Sequence, residues 1–136
     1  MRAAVIILLA ICATASASLY RFYCPITYKI TKDGVDKSMF VAEVKVESNK
    51  LTSYWSGYWY DVNVKYEKLL RWWHDWLSEA STLDSVPKTI YISSKCGVYL
   101  KPGEKYIIGC DSSDRCNFAK VASTLTAEEK KLVEKQ

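Results

Sequence analysis

The chain has 136 residues, 49% of them hydrophobic and 25% charged, with a formal net charge of +4 and a single histidine. That length suffices for one domain with a real core. The charge balance forms no basic patch of the kind nucleic-acid binding needs, and one histidine leaves no zinc-binding histidine motif.

Arg2 supplies a positive start and Ala3 to Ala13 an apolar stretch too short to span a membrane as a helix. Ala15-Ser16-Ala17 is a small-x-small cleavage site. Residues 1–17 are therefore expected to be a signal peptide, and removing 17 of 136 residues leaves 119, residues 18–136, as a single domain. No later segment approaches about 18 consecutive apolar residues, so the expectation is a secreted, extracellular protein without a membrane span. Cys12 leaves with the signal, and Cys24, Cys96, Cys110 and Cys116 remain. Four cysteines in a short secreted chain point to two disulfides, in any of three connectivities. There is no Asn-x-Ser/Thr glycosylation acceptor.

The first regular element is Phe40 to Val46. Phe40, Ala42, Val44 and Val46 alternate with Glu43, Lys45 and Glu47, the pattern of a half-buried strand. Ser48 to Gly57 reads as a polar connection, and Tyr60, Val62, Val64 and Tyr66 as a second alternating strand. The period then changes. Tyr66, Leu69, Leu70, Trp73, Trp76, Leu77 and Ala80 recur at steps of three and four, which predicts an amphipathic helix ended by Ser81 to Pro87. On that helix Trp73 and Trp76 belong to the core, whereas Trp72 lies off the stripe.

Thr89 to Ser93 is a short β-branched and aromatic strand. Val98–Leu100 and Tyr106–Ile108 follow as strands around a Lys101-Pro102-Gly103-Glu104 turn, and another strand follows Cys116. Thr126 with Glu129 three residues later forms a capping box for a final helix. Five or six short strands, an inserted helix and a C-terminal helix fit a mainly β, disulfide-stapled fold. A small Greek-key barrel of the oligonucleotide/oligosaccharide-binding (OB) type is one such solution.

The order of these pieces resembles the netrin-like domain, in particular the inhibitory domain of the tissue inhibitors of metalloproteinases. Val41 to Val46 resembles its first strand, Tyr60 to Val64 its second and Ile90-Tyr91-Ile92 its third. Ser93-Ser94-Lys95-Cys96-Gly97 resembles its Cys-Gly loop, Tyr106 to Gly109 its central strand, and Cys116-Asn117-Phe118 with Ser123 to Thr126 the approach to its last helix. The OB-fold-like barrel topology is what this resemblance implies.

The resemblance also implies a mechanism. In the family, a cysteine at the mature amino terminus chelates the zinc of a protease through its free α-amine and carbonyl, displacing the attacking water. Cys24 is the candidate here, with Pro25, Ser93, Ser94 and Lys95 completing a protease-contact ridge. The chain departs from the pattern: Ser18 to Tyr23 precede Cys24, Pro25 follows it, and Ile26 occupies the place of the family's second cysteine. Cys24 offers its amine only if it is the mature N-terminus.

The family's pairing implies Cys24–Cys96 with Cys110–Cys116. The rival is Cys24–Cys116 with Cys96–Cys110. Loop entropy gives about 4 plus 2 kcal/mol for the first and about 5 plus 3 for the second, too close to decide between them.

Two readings of function follow. One is an inhibitor of secreted zinc metalloendopeptidases acting through the Cys24 ridge. The other is a non-inhibitory netrin-like module that binds an extracellular protein or glycan, with Tyr54, Trp55 and Trp72 as its surface aromatics. An enzyme is not expected. His74 has no neighbouring nucleophile, and Asp111 and Asp114 sit in a turn where such residues serve backbone hydrogen bonding. No cofactor and no metal of the protein's own are expected.

Overall fold

The computed structural model describes residues 24–73 and 78–134. Its centre is an antiparallel sheet of five strands in the order β3-β2-β1-β4-β5. These are β1 (Phe40–Tyr54), β2 (Gly57–Trp72), β3 (Thr89–Ser93), β4 (Lys105–Ser112) and β5 (Arg115–Val121). Three short helices accompany it: α1 (Lys32–Lys37), α2 (Glu79–Ser85) and α3 (Ala127–Val133).

The pleat divides the apolar residues between two cores. Phe40, Ala42, Val44 and Val46 of β1 pack with Val62 and Val64 of β2, Ile90 and Ile92 of β3, and Ile108 of β4. On the opposite face Val41, Ile107 and Phe118 meet Ile30, Val35 of α1 and Val133 of α3. The last helix carries its capping box: Thr126 Oγ1 accepts from the Glu129 N–H at 3.1 Å, and Glu129 Oε1 accepts from the Thr126 N–H at 3.0 Å.

The mainly β class stands, yet the sheet does not close. Its edge strands β3 and β5 form no ladder with each other. They approach each other without pairing, and beside them the Tyr91 N–H donates to the Ser113 carbonyl, at 2.6 Å, in the β4–β5 turn. The free edge of β5 is partly covered by Thr27, whose N–H and carbonyl bond to Asn117 and Ala119. An open seam therefore runs beside β3.

Three sequence expectations change. The polar connection over 48–57 is strand instead: β1 and β2 stay paired to Tyr54↔Gly57, turning through Trp55-Ser56. This hairpin projects past the core, so neither face is buried and no alternation marks it. Gly57, at φ 122°, supplies a backbone conformation other residues rarely adopt.

The helix expected over Tyr66 to Ala80 is strand as far as Trp72. Register shifts opposite Glu43/Val44 and Val41/Ala42 insert one extra β2 residue each, Glu67 and Leu70. Main-core positions therefore step by three, Tyr66, Leu69, Trp72, and imitate a helical stripe. Leu70 turns to the second core. The tryptophans exchange roles: Trp72 packs against the main core, whereas Trp73 is 53% exposed with its indole N–H donating to the Ser38 carbonyl. His74, Asp75, Trp76 and Leu77 lie outside the described residues. Helix α2 begins instead at the Ser78 cap and occupies the stretch read as a break.

Val98–Leu100 buries Val98 and Leu100 but joins no ladder, because β4 already pairs with β1 on one side and β5 on the other. The turn after it docks on β1 through Gly103 N–H to the Val46 carbonyl (2.8 Å) and Val46 N–H to the Glu104 carbonyl (3.0 Å).

Candidate functional site

The open seam forms a groove with two adjoining parts. The inner cleft, about 490 Å³, lies between β3 and the β4–β5 hairpin; Pro25, Trp59, Tyr91, Ser93, Asp114 and Arg115 are among its walls. The outer pocket, about 290 Å³, lies under the β1–β2 hairpin and is lined by Tyr54, Trp55, Ser56, Trp59, Tyr91 and Asp114. Trp59, Tyr91 and Asp114 belong to both.

Local bonds hold the outer rings in place. Tyr54 donates to Asp61 Oδ2 at 2.8 Å, and Thr52 Oγ1 donates to the same oxygen at 3.3 Å. That hydrogen bond, with burial and the Asp61 charge adding to it, raises the Tyr54 pKa above the usual phenol value. Trp59 Nε1 donates to Ser56 Oγ at 3.2 Å. The Tyr54 and Tyr91 rings stand edge to face, 6.4 Å apart at 85°. Trp55 at the tip is fully exposed, at 101%.

Asp114 Oδ1 accepts from Ser112 Oγ at 2.8 Å, the local turn bonding expected of this segment. Asp111 lines the inner cleft, and its Oδ1 is buried without a hydrogen-bond partner.

Cys24 is bonded to Cys96 and Cys110 to Cys116. The first bridge sets the Cys24–Pro25 segment beside Ser93, Ser94 and Lys95, and both Pro25 and Ser93 face the inner cleft. Within that group the roles differ. Ser93 is buried and its Oγ caps a single 3-10 turn by accepting from the Lys95 N–H at 3.4 Å, so it supports the ridge without protruding. Ser94 is half-buried and Lys95 exposed.

Of the expected surface aromatics, Tyr54 and Trp55 stand together on the hairpin. Trp72 does not join them; it is at the other end of β2, lining a separate cavity with Phe40, Thr82 and Val86. Trp59 belongs to the aromatic run Tyr54, Trp55, Tyr58, Trp59 and Tyr60 that suggested a binding surface without being singled out as a site residue, and Tyr91 read as sheet packing within Thr89–Ser93; both are groove walls. Among the described residues no three His, Cys, Asp or Glu side chains gather as a metal site, and no helix is long and apolar enough to cross a membrane.

Fold and groove together define a disulfide-stapled, mainly β domain with an aromatic-lined open seam. The chain belongs to the family described as excretory-secretory protein 2, whose family model matches residues 22–134. Among solved structures it is similar to Ancylostoma ceylanicum excretory-secretory protein 2, at 22% identity over 82% of this chain and 93% of that one, with a TM-score of 0.53. That likeness shows a shared fold. Comparison with curated proteins gave no match.

Proposed function

We propose that this is a secreted netrin-like binding protein, not an enzyme, that engages an extracellular protein or glycan through the seam groove. The carrying observation is the sharing of Trp59, Tyr91 and Asp114 by the two cavities, which makes one continuous surface from Pro25 to Trp55. Rigid aromatic side chains at such a surface supply contact area at small entropic cost. Secretion through residues 1–17 agrees with the family's description. The test is binding to arrayed extracellular proteins and glycans by wild type, Trp55→Ala and Met39→Ala. Met39 is also exposed, at 46%, but precedes β1 at the end away from the hairpin. Loss of binding in Trp55→Ala alone supports the groove. Equal binding by all three removes it.

A second reading, zinc metalloendopeptidase inhibition, is favoured by the placement of Cys24 and Pro25 beside Ser94 and Lys95 through the Cys24–Cys96 bridge. It requires a free α-amine on Cys24, because an acylated nitrogen is no amine ligand. N-terminal sequencing of the secreted protein decides whether that amine is free. Titration against secreted zinc endopeptidases, with and without N-terminal acetylation, decides whether it chelates. Stoichiometric inhibition abolished by acetylation supports chelation; inhibition indifferent to acetylation, or none, sinks it.

A further inference from the structure

We propose that the outer pocket is a cage for a quaternary ammonium group, the chemistry of a choline head. The inference rests on the groove being a binding surface and names the ligand class for one part of it.

Four of the six residues lining this pocket of about 290 Å³ are aromatic: Tyr54, Trp55, Trp59 and Tyr91. The only charged one is Asp114, and no lysine or arginine lines it; Lys37 and Arg115 line the adjoining cleft instead. Ring faces carry negative potential, so aromatic walls with one carboxylate select for positive charge. Two walls already stand at 85° to each other, and Trp59 is held by Ser56. A cation therefore enters a corner that needs little reordering.

The polar inventory distinguishes the kind of cation. A primary ammonium carries three N–H donors that need acceptors once desolvated. Here the acceptors are partly engaged: Ser56 Oγ accepts from Trp59 and Asp114 Oδ1 from Ser112, so the carboxylate meets some of those three donors and competes with existing bonds for the rest. A quaternary ammonium has no donors. Its diffuse charge is satisfied by ring faces and a nearby carboxylate.

The test is titration of the full chain with choline chloride, followed by tryptophan fluorescence, beside the neutral isostere 3,3-dimethylbutanol at matched ionic strength. Expected is saturable choline binding in the millimolar range or tighter, with the neutral isostere about tenfold weaker or more. Trp55→Ala, which removes a fully exposed side chain and so leaves folding intact, and Asp114→Asn should each weaken choline about threefold or more. Equal binding of choline and the isostere, no saturable binding, or indifference to both substitutions overturns the cage.

Given choline binding, sedimentation with phosphatidylcholine but not phosphatidylglycerol vesicles identifies a lipid headgroup as the source. Choline binding without sedimentation identifies a soluble ammonium compound; both outcomes support the cage. Failure with choline, while Trp55→Ala still abolishes capture on the extracellular panel, removes the cage and leaves the groove reading intact.

Discussion

Gly109→Ala probes how tightly the second core packs against β4. Gly109 lies opposite Phe118 in the β4–β5 ladder, and the phenyl ring rests on the glycine. A Cβ placed at Gly109 falls well inside contact distance of two ring carbons of Phe118 and 2.7 Å from Ser38 Oγ. Carbon atoms normally pack at about 3.5–4.0 Å, so the ring must withdraw by roughly 1 Å. It has nowhere to go: Phe118 is 0% exposed in the second core. Ser38 is equally fixed, 1% exposed, donating to the Gly34 carbonyl at 2.7 Å and accepting from Asn117 Nδ2 at 3.0 Å.

Overpacking of this kind costs about 1–3 kcal/mol, and two immovable neighbours place Gly109→Ala near the top of that range. Urea denaturation should show a midpoint lowered by about 1–2 M at unchanged slope. Adding Phe118→Leu makes room, so the double variant should recover part of the loss, with a coupling of about 1 kcal/mol or more. A loss under about 0.5 kcal/mol, or strict additivity in the double variant, would refute the reasoning.

Three further outcomes follow from the same structure. The Cys24–Cys96 bridge closes 72 residues and Cys110–Cys116 only 6; replacing each pair by serine should cost about 4 and about 2 kcal/mol respectively in urea denaturation, and the reverse order would contradict the loop-entropy account. Burial alone would raise the Glu129 carboxyl, but Lys120 and the Thr126 cap outweigh it and hold the pKa below the usual value. Its contribution is therefore complete above the unfolded-state pKa and lost as pH falls through the lower folded one. Stability should decline over that acid window in wild type and less so in Glu129→Gln, as a pH series of thermal melts would show. Finally, Trp72→Ala should destabilise by about 2–4 kcal/mol, as loss of a core-packed ring does, and Trp73→Ala by about 1 kcal/mol, mainly through its hydrogen bond; the opposite order would restore the helical reading of this stretch.

That last contrast marks where local pattern stops being informative. Alternation in Phe40–Val46 and the β-branched run Thr89–Ser93 located strands correctly, because one register of each buries its apolar set. Thr126 and Glu129 located the final helix, because a capping box is satisfied within four residues. Past Tyr66 the signal is ambiguous. A strand with two bulges and a helix both place apolar residues three apart, and only pairing with β1 distinguishes them.

The groove was half visible. Tyr54 and Trp55 stand out in a polar stretch, but nothing local announces that Trp59, Tyr91 and Asp114, from three different segments, would line the same space. By itself the sequence determined a short, cysteine-bearing, mainly β chain with a capped terminal helix, since those features depend on composition and near neighbours. The tertiary structure decided that the sheet stays open, that Trp72 turns inward and Trp73 outward, and that the hairpin aromatics face a seam, because strand register and edge pairing are settled between residues far apart in the chain.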